Sequence, residues 1–131
     1  MIGLDTNILV RYLTHDDQAQ TRTAHAFFAS LSSDAPGFVA REVLLELVWV
    51  LQRTHRYSRA DIAEALNGLL DANELWIEDG DRVGSALALY AAGGPGFSDQ
   101  MIRLAALAAG CSELVTFDAK AAREPGVRLL C

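Results

Sequence analysis

Asp5, Glu46, Asp99 and Asp118 are the residues of this chain whose types and positions suit chemistry. Asp5 follows a short apolar run, Ile2 to Leu4, and Asp118 follows the apolar stretch LVTF. Asp99 stands at the start of a helical pattern opened by Ser98, and Glu46 lies within LLELVWVL. Three of these carboxylates therefore fall at strand ends or helix starts, positions that can converge on one edge of a sheet. Carboxylates brought that close raise one another's pKa by repulsion unless a cation offsets it. Oxygen donors without His or Cys select Mg2+ or Mn2+. Such an ion can bridge to a phosphodiester oxygen, lower the pKa of a bound water and stabilise charge on the attacking and leaving oxygens.

Each acid also has a plain structural use. Asp5 and Asp118 can cap helices, Asp99 can favour a helix dipole or pair with Arg103, and Glu46 can pair with Arg53 on a solvated face. Capping alone leaves unexplained why every cap should be acidic. On a helical wheel of Glu42 to Arg53 the polar stripe holds Glu42, Glu46 and Arg53, with Glu46 on its border beside Val43 and Val50. The rest of that helix is apolar, so partial dehydration of Glu46 is expected.

The elements that must position these residues follow from periodicity. Ile2 to Leu4 reads as a buried strand and Asn7 to Leu13 as a short helix. A second helix runs from Asp16-Asp17 to about Leu31, because acids favour a helix N-terminus. SSDAPG is a turn cluster, and Phe38-Val39 is a strand. Helices are expected from about Arg41 to Tyr57 and from Ser58 to about Ala72. LWIE alternates as a strand, Gly80 to Ala92 is helical, GGPGF is a loop, and Ser98 to Ala109 is a helix closed by Gly110. ELVTF is a strand, Ala119 to Arg123 a helical turn, and VRLL the last strand. Alternating strands and helices argue for an α/β sandwich with a largely parallel sheet, in which ligands gather at the carboxyl edge.

With 131 residues, 51% of them hydrophobic, the chain fits one compact domain, residues 1–131, burying roughly two-thirds of its unfolded surface. No apolar run approaches the ~18 to 20 residues that span a bilayer, and no basic leader precedes a cleavage site. No membrane partner is expected, and a cytoplasmic location is. Two cysteines and three scattered histidines make neither a disulfide framework nor a His/Cys metal centre. A net charge of −6 has the wrong sign for nucleic-acid binding. A bound cation would supply the missing positive potential, and ten of the eleven basic residues are Arg, the side chain suited to bidentate phosphate contact.

LDTNILVRYL, LLELVWVLQR, GFSD and LVTFDAK resemble, in order and spacing, the PIN-domain ribonucleases, and most closely the VapC toxins of type II toxin–antitoxin modules. The resemblance covers almost the whole chain. It implies a three-layer α/β/α sandwich with a central, mainly parallel sheet, and Mg2+- or Mn2+-dependent cleavage of RNA to a 3′-hydroxyl and a 5′-phosphate. It implies inhibition by a cognate VapB-like antitoxin, and a homodimer. By position, Asp5 and Asp99 look like the principal metal ligands, with Glu46 and Asp118 completing the acidic set. Thr6 and Asn7 resemble residues that orient the first carboxylate, and Thr116 a hydroxyl supporting Asp118. Arg11, Arg41 and Lys120 are the basic residues nearest these motifs and are candidates for RNA backbone contact. Two departures stand out: Lys120 and Arg123 follow Asp118 where some relatives carry a further acid, and Gln100 follows Asp99 where relatives often carry a small apolar residue. The departure at Gln100 is expected to affect the rim of the pocket rather than its chemistry.

Rival readings fit less well. A receiver-like phosphoacceptor needs an acid pair near the first strand end, and a haloacid-dehalogenase-like phosphatase needs an acid where Asn7 stands. A non-catalytic metal- or peptide-binding α/β module remains the alternative.

Overall fold

A computed structural model describes residues 1–131. It resolves two compact units, Met1–Gly80 and Asp81–Cys131.

The first unit alternates strands and helices: β1 (Ile2–Gly3), α1 (Thr6–Leu13), α2 (Gln18–Ala29), β2 (Gly37–Val39), α3 (Arg41–Arg53), α4 (Arg59–Asp71) and β3 (Leu75–Ile77). All pairing is parallel, in the order β1-β2-β3, with Ile2 opposite Gly37 and Phe38 opposite Trp76. Helical crossovers are what parallel pairing requires. Side chains set the helix starts. Asp17 caps α2 by accepting from the Gln20 amide at 3.0 Å. Ser58 and Asp61 form a reciprocal capping box at α4, with bonds of 3.1 and 3.2 Å. In α3, Leu44, Leu47, Val48 and Leu51 repeat at helical spacing and are buried. They join Leu9, Val39, Ile62 and Leu66 in the core.

Helix α3 stops four residues short of the expected Tyr57. The chain turns at Arg56, whose φ is 56°, and the Tyr57 amide donates back to the Leu51 carbonyl at 3.0 Å. Apolar periodicity at Tyr57 reports this folding back rather than a further helical turn.

The second unit holds α5 (Gly80–Ala91, beginning at the boundary), α6 (Phe97–Ala108), β4 (Leu114–Thr116), one 3-10 turn (Ala121–Arg123) and β5 (Val127–Leu129). Strands β4 and β5 pair in parallel, with Val115 opposite Arg128. Helix α6 ends at Gly110, whose φ of 87° admits the closing pair of bonds. The Gly110 amide donates to Leu107 and the Cys111 amide to Ala106, both at 3.0 Å. Val83, Leu87, Tyr90, Phe97 and Met101 are buried. Cys111 and Cys131 are free and exposed.

Candidate functional site

Asp5 stands where β1 gives way to α1. The strand is held by its pairing with β2 and by the Leu4 amide, which donates to the Phe38 carbonyl at 2.9 Å. Asp5 then caps α1: its backbone is extended and Oδ1 accepts from the Thr6 amide at 2.8 Å. Oδ2 stays open. One residue thus caps a helix and still offers a carboxylate oxygen, so the two uses weighed for Asp5 are compatible. Thr6 is buried and Asn7 exposed.

Glu46, on α3 in the same unit, is exposed, not partly dehydrated as its border position on the wheel suggests. It makes no ion pair with Arg53, whose guanidinium instead lies over the Trp49 ring. Helix α3 turns Val43 and Val50 only partly inward, which leaves the carboxylate between them in solvent.

In the second unit Asp99 occupies the first turn of α6, which begins at Phe97, one residue before the expected Ser98. The cap position is Gly96, which offers no side chain, so the first-turn acid meets the helix's positive end unaided. Asp99 and Thr116 line one cleft of about 100 Å3 together with Pro95, Arg103 and Glu124. Asp118 lies outside that lining. Its Oδ1 accepts from the Lys120 and Ala121 amides at 2.8 and 3.3 Å, and its own amide donates to Thr116 Oγ1 at 3.0 Å. Thr116 keeps its hydroxyl proton to donate, and Asp118 keeps Oδ2.

Gln100 lines the same cleft from a fully buried position. Its amide donates to Glu124 Oε1 at 3.1 Å, and its oxygen accepts from Arg103 Nε and Nη2 at 3.3 and 3.2 Å. Arg103 also donates to the Pro125 carbonyl at 3.4 Å and stands 3.9 Å from Glu124 Oε2. A buried guanidinium needs such partners. Arg103 therefore serves this network and not Asp99, four residues earlier. Glu124, one residue past Arg123, supplies an acid in the cleft that spacing from Asp118 did not nominate. The unusual Gln100 was the available signal.

The nominated basic residues differ in free charge. Arg11 pairs with Asp16 at 3.1 Å, and Arg41 with Glu78 and Asp79 at 3.3 and 2.8 Å. The Arg41 amide, with its guanidinium, holds the Glu78 carboxyl below the usual range. Lys120 engages only its backbone amide. Its ammonium stays free.

Each unit contributes two of the four acids, and within neither do three His, Cys, Asp or Glu side chains group to hold a metal ion. The oxygen-only donor set nevertheless has the chemistry of a Mg2+ or Mn2+ ligand set.

A family model described as PIN domain matches residues 2–126, spanning both units and all four acids. The chain belongs to the PIN-domain family. It is also 30% identical over 115 residues to a VapC ribonuclease of Aquifex aeolicus (strain VF5), covering 87% of this chain and 84% of that protein. Family membership carries the fold class, a PIN-like α/β/α sandwich built on parallel strands. The PIN assignment also accounts for the parallel pairing in both units. No helix of this PIN domain is long and apolar enough to cross a membrane.

Proposed function

We propose that this PIN domain is a divalent-metal-dependent endoribonuclease and the toxin of a toxin–antitoxin pair. The observation that carries the reading is the family match over residues 2–126, reinforced by a relative named VapC ribonuclease. A match running through both units also supports treating residues 1–131 as one functional domain. RNA as substrate and the absence of a spanning helix agree with action in the cytoplasm.

Asp5 and Asp99 would hold the ion, with Glu46 and Asp118 completing the acidic set. A bound Mg2+ or Mn2+ supplies an acidified water and neutralises charge building on the phosphate. The Thr6 amide fixes Asp5 through one oxygen and leaves the other outward. Buried Thr6 and the adjacent Asn7 hold the start of α1. The Lys120 and Ala121 amides fix Asp118 in the same one-oxygen manner. Lys120 is the nominated cation with charge to spare for a phosphate. Water attack on the phosphodiester leaves a 3′-hydroxyl and a 5′-phosphate.

A groove of about 230 Å3 in the first unit supports the antitoxin partner. Tyr12, Leu13, Phe28, Leu69 and Leu75 line it, with Glu64 and Glu74 among them. An antitoxin segment with apolar and basic side chains would satisfy that lining. A homodimer belongs to the same reading, and light scattering across micromolar concentrations tests it.

The deciding experiment incubates protein freed of any copurified partner with a structured RNA pool and Mg2+, Mn2+ or EDTA, alongside Asp5→Ala. Metal-dependent cleavage that vanishes in the variant is the expected result. Folded protein that binds Mn2+ and cuts no RNA overturns the reading in favour of a non-catalytic binding module.

A further inference from the structure

We infer that the outer face of α3 carries a contact for single-stranded RNA, in which Trp49 stacks a base and Arg53 holds a neighbouring phosphate. The inference rests on the ribonuclease reading and names how its substrate is gripped.

Glu42, Glu46, Trp49 and Arg53 follow one another at steps of four, three and four residues, which places them on one face of the helix. All four are exposed. The opposite face, through Leu44, Leu47, Val48 and Leu51, already packs the helix into its unit. Trp49 is therefore surplus to the core, and its indole is left 56% exposed, covered in part by the Arg53 guanidinium that lies over the ring. The Arg53 guanidinium carbon lies 5.6 Å from the centroid of that ring.

Charge separates a nucleic-acid strand from a protein partner here. Arg11, Arg41 and Arg128 are each tied to a carboxylate. Arg53 meets an indole instead, and neither it nor exposed Arg56, in the turn three residues past the helix, pairs with an acid. In a chain of net charge −6, the Arg53 guanidinium at the indole ring is a cation free of any acid partner, at the end of a face that Glu42 and Glu46 begin. An aromatic face with adjoining cations is the combination that grips single strands, the ring taking a base and the cations the backbone. An apolar protein partner would find charged neighbours on both sides of the ring.

Position along the helix ties this contact to the proposed chemistry. Trp49 follows Glu46 by three residues, or about 4.5 Å of axial rise, and Arg53 by about 10 Å. A strand laid along this face thus places its stacked base next to the nucleotide at Glu46. Stacking reads no hydrogen-bonding edge, so the contact strengthens binding across sequences.

The chain has two tryptophans, Trp49 and Trp76, both about equally exposed, and Trp76 serves as the internal control. Oligoadenylate and oligouridylate RNA are titrated in EDTA against Trp76→Phe, which emits from Trp49 alone, and Trp49→Phe, which emits from Trp76 alone. Saturable quenching in the first and none in the second is expected. Trp49→Leu weakens binding roughly tenfold, and Trp49→Tyr restores most of it. Arg53→Gln lowers the salt slope of log affinity by about 0.7, one phosphate's worth on a single strand. Circular dichroism melts confirm that each variant is folded.

Equal quenching of both tryptophans, an unchanged salt slope, or Trp49 emission that shifts with protein concentration alone overturns the inference. Binding with no metal-dependent cleavage overturns the ribonuclease reading and leaves the contact standing. Cleavage with a silent Trp49 does the reverse.

Discussion

Gln100 donates its side-chain amide to Glu124 Oε1 across 3.1 Å and has no exposed surface. Its carbonyl oxygen is the acceptor for two nitrogens of Arg103, whose side chain is 9% exposed. Gln100→Leu keeps much of the volume and removes both functions, leaving a buried cation short of an acceptor. The expected cost is about 1–3 kcal/mol, read as a lower urea midpoint. An unfolding free energy within about 0.5 kcal/mol of the parent, the range of ordinary surface changes, would mean that Arg103 does not depend on Gln100.

Gly94 lies against the same pair. A Cβ there would meet Glu124 Oε1 at 3.0 Å and Gln100 Nε2 at 3.2 Å, both held by their mutual bond. Gly94→Ala is expected to cost about 1–3 kcal/mol through overpacking. In a Glu124→Ala background the penalty should shrink, because the atom in the way is gone. Additive penalties in that double-mutant cycle would place the strain elsewhere.

Asp16 sets an acid-side dependence in the first unit. The Thr14 hydroxyl donates to its Oδ1 at 3.0 Å and, with the Arg11 and His55 charges, holds its carboxyl below the ordinary value. A depressed folded pKa stabilises the fold above the unfolded value and loses that contribution as pH falls through the folded one. The window therefore lies on the acid side of 3.8. Thr14→Val should move the Asp16 titration upward, followed by carboxyl NMR shifts. No movement would assign the depression to Arg11 and His55.

Asp99→Asn separates chemistry from folding. Asp99 makes no ion pair, and losing its charge at the first turn of α6 costs at most about 1 kcal/mol. Cleavage should fall at least about a hundredfold, since even residues supporting a metal ligand are worth 10- to 100-fold. Near-parental cleavage with an unchanged melting temperature would remove Asp99 from the ligand set.

The elements were legible wherever local periodicity decides them. Strand–helix alternation is enough to name every helix and strand, although the first strand, expected to be buried over Ile2 to Leu4, is exposed at Ile2 and Gly3 and buries only Leu4 beyond its end. Ends were less legible. The stop at Arg53 depends on a bond between Tyr57 and Leu51, and no local pattern encodes it. At the site, the positions of Asp5, Asp99 and Asp118 beside strand and helix boundaries were readable. Glu46's exposure and the Gln100–Arg103–Glu124 network were not, since contacts across 24 residues leave no periodic trace.

The parallel register of β1 has a consequence for the order in which the chain is made. Ile2 and Gly3 pair only with Gly37 and Phe38, so the anchor beneath Asp5 cannot form until more than thirty further residues have been synthesised. At about 5–20 residues per second, Asp5 spends seconds without its support. Asp99 and Asp118 emerge later still. On the proposed reading, the four acids are therefore all present and supported only once most of the chain has been made.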